Sequence, residues 1–314
     1  MPAIPFTDSP FRLLGGDLEL LVRHRFIASQ TIGLPCQSTE TTDEISLSKW
    51  SNIFSLSLQL VLFLSTLPLI GLLCMPVFSV ITAVGLVGIY FAVNAWIVEM
   101  QQARYQSQEG NDFQDEIWLY VNGICCDQSW LGMNCEMLAR IFGRRIIGVY
   151  NPTLGPVLDL VDCIYQRCFT QGMEDFRQLY KTTIRELLRP EISKVVLIAH
   201  SQGGIIASQV IDRLLVAEDE QTVRKLEVYT FGSAANHFSG NGRIRHIEHF
   251  ANEGDFVAQT GVVAYKTLNG NRYDGTLYIN NATGHLLNTH YLRSTFTDGN
   301  EAASSRLAGY IGGR

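Results

Sequence analysis

The apolar positions of this chain follow two regimes. From Trp50 to Val98 they run almost unbroken, and no charged side chain interrupts them. From about residue 115 onward they come in short blocks separated by polar turns, alternating between strand-like and helix-like spacing. Ile117–Val121, Ile146–Tyr150, Val195–Ala199, Leu226–Phe231, Ile247–Ala251 and Leu277–Ile279 read as strands. Trp130–Phe142, Val157–Phe169, Phe176–Leu188 and Ile205–Val216 read as helices, and a last helix begins within His285–Phe296. Strands alternating with helices in this way predict an α/β fold, with a mainly parallel sheet covered on both faces. In such sheets the chemistry gathers at the carboxyl ends of the strands.

The uncharged run predicts a membrane-embedded hairpin. A spanning helix needs about 20 apolar residues, and Ile53–Val98 is long enough for two. Pro68, Gly71 and Pro76 predict a break, giving helices over 53–70 and 77–98. Trp50, Tyr90 and Trp96 lie toward the outer ends, where aromatic rings suit an interface. A two-pass hairpin and a re-entrant hairpin in one leaflet both fit, and both leave the two ends on one side. Arg23, Arg25, Lys49 and Arg104 in the flanks point to cytosolic ends on an intracellular membrane, such as the endoplasmic reticulum or a lipid droplet. The expected organisation is a polar N-terminal segment (1–50), the hairpin (51–99), a linker (100–114), an α/β domain (115–298) and a tail (299–314). Within the first segment, Phe11–Phe26 has helical apolar spacing.

The stretch Val195-Val-Leu-Ile-Ala-His-Ser-Gln-Gly-Gly204 carries the candidate chemistry. An apolar strand runs into a tight turn holding Ser201, and a helix follows at once. Ala199 and Gly203 flank the serine two positions away on either side, as a turn this sharp requires. A serine capping an ordinary helix is the plainer alternative, but it does not account for small residues on both sides.

A serine hydroxyl needs a base, and the base needs an acid to orient it. After the strand Ile247–Ala251 comes Asn-Glu-Gly-Asp-Phe-Val, where Asp255 sits at a strand end, with Glu253 as the near alternative. Two histidines follow, His285 and His290. His285 stands after a glycine at a loop-to-helix junction and is the expected base, with His290 the alternative. His200 adjoins the serine, but neighbours on a sharp turn point apart. An oxyanion hole requires two backbone N–H groups. One is expected from Gln202 and the other from Gly123 or Ile124, in the loop after the first domain strand.

Composition narrows the field. The formal net charge is −6, which argues against nucleic acid as a partner. The seven cysteines are odd in number and unpaired in spacing, so a disulfide scaffold is not expected. No Cys/His cluster has metal-site spacing, and the expected chemistry needs neither metal nor cofactor.

With Ala-His-Ser201-Gln-Gly, Tyr229-Thr-Phe-Gly-Ser233 and Asn252-Glu-Gly-Asp255, the chain resembles the α/β-hydrolase superfamily, in particular its lipase-like serine hydrolases. Val121-Asn-Gly123 and Gly284-His-Leu-Leu-Asn288 are also similar to segments of fungal membrane-anchored hydrolase-like proteins. The resemblance spans about residues 115–297. It implies the α/β-hydrolase fold and a Ser/Asp/His mechanism, and names no substrate. Ala199 departs from the usual glycine but is also small. The expected function is a membrane-anchored serine esterase, acting on lipid or other small-molecule esters. Two alternatives stay open: a hydrolase or acyltransferase of a secondary metabolite, and an inactive scaffold with the same fold.

Overall fold

A computed structural model describes residues 8–31, 43–73, 104–153, 155–169, 174–268, 271–296 and 300–313, with isolated positions between 82 and 92. Its centre is a seven-stranded sheet. The strands are β1 (Arg104–Gln106), β2 (Glu116–Val121), β3 (Ile146–Val149), β4 (Lys194–His200), β5 (Leu226–Phe231), β6 (His246–Gly254) and β7 (Thr276–Thr283). Their order is β1-β3-β2-β4-β5-β6-β7. Only the edge strand β1 pairs antiparallel. The mostly parallel sheet with helices on both faces is consistent with the α/β-hydrolase fold.

Period-two alternation explains the sheet's two-sided burial. In β4, Val195, Leu197 and Ala199 pack into one core while Val196 and Ile198 pack into the other. The first core is closed by α5 (Glu174–Leu187) and α6 (Gln202–Ala217), the second by α3 (Gln128–Phe142) and the C-terminal residues. Further helices include α1 (Pro10–His24), α2 (Trp50–Leu73), α4 (Pro156–Cys168) and the short α7 (Phe256–Thr260).

Every strand expected from the pattern is present, with β6 and β7 longer than read. The last helix differs. Leu287–Leu292 forms a single wide π-helical turn, and His285 and Leu286 stay outside it. Two amide groups, those of His290 and Tyr291, share the Leu286 carbonyl. Residues 301–313, expected as a tail, pack on the sheet: Leu307 is fully buried, and Arg306 reaches the buried Glu227 of β5 at 2.7 Å.

The N-terminal segment and the first part of the apolar run also lie on this domain. Asp17 of α1 is buried in an ion pair with Arg167 of α4 at 2.6 Å. Asp43 pairs with Arg293. Helix α2 runs through the break expected at Pro68 and ends at Leu73. It inverts the usual amphipathic arrangement. Asn52, Ser55, Gln59 and Thr66 are buried, while Phe54, Leu60, Val61 and Leu64 are exposed. The Gln59 amide donates weakly to the Cys125 carbonyl at 3.4 Å. Among the described residues no helix is long and apolar enough to cross a membrane. The second expected helix, 77–98, lies almost wholly outside the described residues.

Candidate active site

The turn between β4 and α6 holds Ser201 in a conformation that few non-glycine residues adopt, with φ 59° and ψ −123°. Strain of this kind costs about 1–3 kcal/mol and persists only where the surroundings enforce it. They do so here. The Ser201 carbonyl accepts from both Gly204 N–H (2.9 Å) and Ala234 N–H (3.1 Å), and its own N–H donates to the Phe231 carbonyl at 3.1 Å.

The loop after β2 presses against this turn, which explains two of the glycines. A Cβ on Gly203 would lie 2.5 Å from the Val121 carbonyl oxygen, and one on Gly123 would lie 2.4 Å from Ser201 Cβ. The backbone of Gly123 is therefore in contact with the serine. Gly123→Ala is expected to push the loop off Ser201; if this loop supplies the oxyanion donor expected from the sequence, catalysis should fall by about 10²–10³-fold. Steady-state kinetics on folded variant would check this, and unchanged kcat would place the donor elsewhere.

A hydrogen-bond chain fixes the spacing between the Gly123 loop and Gln202. Asn122 and Asn151 bond reciprocally, with Asn151 N–H donating to Asn122 Oδ1 and Asn122 Nδ2 donating to the Asn151 carbonyl, both at 2.8 Å. Asn151 Nδ2 donates to Gln202 Oε1 at 2.7 Å, and Gln202 Nε2 donates to Asp162 at 2.8 Å. Burial, followed by the Asp175 carboxylate, raises Asp162 from the ordinary 3.8 to about 6 against the opposing Gln202 bond. The folded protein thus holds a proton that the unfolded chain has released. Stability from this group is full below the ordinary value and is lost as pH rises through about 6. Asp162→Asn is expected to raise the melting temperature at pH 8, with the gain vanishing toward pH 4. Parallel thermal melts would test it.

The predicted acid and base come together. His285 Nδ1–H donates to Asp255 Oδ2 at 2.8 Å, and Asp255 is fully buried. The plainer role of a turn aspartate is also filled, because Asp255 Oδ1 caps α7 by accepting from Val257 N–H at 2.9 Å. Glu253, the alternative acid, is exposed. With Nδ1 engaged as a donor, His285 Nε2 is left with its lone pair. It is buried and makes no hydrogen bond among the described residues.

The two other histidines beside the site are occupied. His290 Nδ1 accepts from Leu286 N–H at 3.0 Å, and burial beside His285 lowers its pKa. His200 Nε2 donates to the His285 carbonyl at 2.7 Å, with the two rings 4.7 Å apart. Burial, then the neighbouring His285, holds His200 well below the usual imidazole range, so it is neutral. The thiols of Cys125 and Cys126 are both pushed up, chiefly by burial, and are inert as nucleophiles.

Three supports escaped the sequence reading. Tyr291 O–H donates to the same Asp255 Oδ2 at 2.6 Å. His200 steadies the loop carrying His285. Glu44 grips that loop from the N-terminal side, accepting from Asn288 N–H at 2.7 Å and from Thr289 Oγ1 at 2.7 Å. None has a local signature, because each partner is distant in sequence.

Two cavities meet at Ser201. One, of about 290 Å³, is walled by residues such as Ile45, Leu56, Trp130, His285 and Leu286. The other, of about 70 Å³, is walled by Leu21, Leu160, Ile164, Phe256 and the Asp17–Arg167 pair, among others. Ile124 and Val257 border both. No three or more His, Cys, Asp or Glu side chains are arranged to hold a metal ion among the described residues.

No family model and no curated protein matches the chain. Among solved structures it is similar to the esterase Est22, with a TM-score of 0.37 and 11% identity, over 62% of this chain and 80% of that one. An esterase of Pyrobaculum calidifontis gives 0.34 and 11%, over 61% and 81%. A Trichoderma reesei cutinase in complex with a phosphonate inhibitor gives 0.33 and 21%, over 65% and 87%.

Proposed function

We propose that the protein is a serine hydrolase of carboxylic esters, with Ser201, His285 and Asp255 as its triad. One observation carries this reading: the strained Ser201 shares a cavity wall with a His285 whose far nitrogen is bonded to a buried aspartate. Ser201 Oγ attacks the ester carbonyl carbon while its proton passes to His285 Nε2. Backbone N–H groups of Gln202 and of Gly123 or Ile124 hold the oxyanion. The C–O bond to the alcohol breaks, and the alcohol leaves with the proton from His285. Water then repeats the sequence on the acyl-enzyme, releasing the acid and restoring Ser201. Asp255 keeps the imidazole in the tautomer this needs.

The apolar cavity walls favour esters with apolar substituents, lipid esters included. We also propose membrane association through residues 50–98, with the catalytic domain on the cytosolic face of an intracellular membrane. The outward Phe54, Leu60, Val61 and Leu64 of α2, continuing into the uncharged run to Val98, support this.

Detergent-solubilised protein is expected to react covalently with a fluorophosphonate, adding one phosphonyl group at Ser201 by mass spectrometry. Absence of labelling in folded protein would favour the inactive scaffold. Carbonate extraction of cell membranes tests the anchor, since release into the supernatant would refute it.

A further inference from the structure

The two cavities at Ser201 differ in size and in which catalytic group they contain. We propose that the substrate is a short-chain acyl ester of a bulky apolar alcohol, the alcohol filling the larger cavity and the acyl group the smaller. This deepens the serine-hydrolase reading and rests on it.

The assignment follows from the path of the proton. During acylation, the oxygen that leaves must take its proton from His285. The alcohol half of the ester therefore lies on the His285 side. His285 borders the larger cavity of about 290 Å³ and does not border the smaller one. Ile124 and Val257, common to both walls, form the ridge that divides the two halves at Ser201.

Volume then sets the size of each half. An engineered apolar cavity of about 150 Å³ holds a benzene ring. The larger cavity is about twice that, room for on the order of ten carbons. The smaller, near 70 Å³, is about half, room for on the order of two to four. Chemistry limits the small side as well. The Asp17–Arg167 ion pair is part of its wall, and Asp17 also accepts from Tyr265 O–H at 3.0 Å. An alkyl chain pushing past these groups would break a buried charge pair. The large cavity is mostly apolar, with Ile45, Leu56, Trp130, Leu286 and Leu287 in its wall; Glu44 and Gln59 also line it, but both are bonded to the protein, Glu44 to Asn288 and Thr289 and Gln59 to the Cys125 carbonyl.

Decyl acetate and ethyl decanoate are isomers that place the same chain on opposite sides of the ester, so they test the assignment directly. With full-length protein in detergent, kcat/KM for decyl acetate is expected to exceed that for ethyl decanoate by about 100-fold, a span that pocket fit alone can supply. Leu56→Trp, which fills the large cavity, is expected to lower decyl acetate turnover about tenfold relative to ethyl acetate. Ile164→Ala, which enlarges the small cavity, should raise hexanoate turnover relative to acetate. Preference for ethyl decanoate would overturn the proposal, as would a Leu56→Trp effect confined to that ester. Fluorophosphonate labelling with neither ester cleaved would also overturn it, while leaving the serine reading intact. No labelling of folded protein would end both.

Discussion

Alanine at Ser201 is expected to abolish fluorophosphonate labelling and cut ester turnover by about 10⁶-fold, as removal of a triad nucleophile does elsewhere. Nothing nearby can replace the hydroxyl, because Cys125 and Cys126 are both held protonated by burial. His285→Ala is expected to fall nearly as far, since members of a triad act as a unit. His290→Ala separates the two histidines. Its Nδ1 is taken up by the Leu286 amide, so the variant should still label, with some loss as the loop loosens. In-gel labelling of the variants side by side, each checked for folding by circular dichroism, gives the result. Labelling that survives in His285→Ala and disappears in His290→Ala would reverse the assignment of the base.

Asp255→Asn is expected to lower kcat by about 10⁴-fold with little change in KM. The asparagine is nearly isosteric, so the cap on Val257 N–H can persist. What changes is the face turned to His285. An amide there would favour the tautomer with its proton on Nε2, and that nitrogen could no longer take the proton of Ser201. Tyr291→Phe removes one of the two bonds to Asp255 Oδ2 and leaves the other. Its loss should be milder, about tenfold, the equivalent of one hydrogen bond. The comparison reads tautomer control against simple positioning. A full-activity Asp255→Asn would remove Asp255 from the mechanism.

The parts of the fold readable from the chain are those that local physics decides. Val195–Ala199 is buried on both faces and three of its residues, Val195, Val196 and Ile198, are β-branched, so its neighbours in sequence suffice to make it a strand. The elbow was readable because Gly203 has no room for a side chain against Val121, a constraint written directly into residue type. Asp255 lies just after β6, as its place in the sequence led one to expect, and bonds His285 there.

Helix α2 was harder. Absence of charge from Trp50 onward gave no sign that Asn52, Ser55, Gln59 and Thr66 form a buried polar side of the helix. Hydropathy averages over a helix and hides such a stripe, since uncharged hydrogen-bonding side chains barely lower the mean. The sequence favoured His285 over His290 from its place after Gly284, but did not reveal the bond that occupies His290 Nδ1. That bond comes from the amide of Leu286, just before the wide turn, and no spacing rule describes it. Residues 301–313 carried no strong periodicity, and their attachment to Glu227 is a contact between distant parts of the chain.

The grip of Glu44 on Asn288 and Thr289 spans 244 residues for the Asn288 bond, and this has a bearing on the protein's biosynthesis. On the ribosome, residue 44 emerges 244 residues ahead of its Asn288 partner and must wait for it. Until then the His285 loop has not been made, the Glu44 carboxylate has no amides to receive it, and the larger cavity lacks one wall. In a nascent chain the wall that Leu286 and Leu287 give the larger cavity, and with it the proposed triad, would therefore be completed only once that loop has been made.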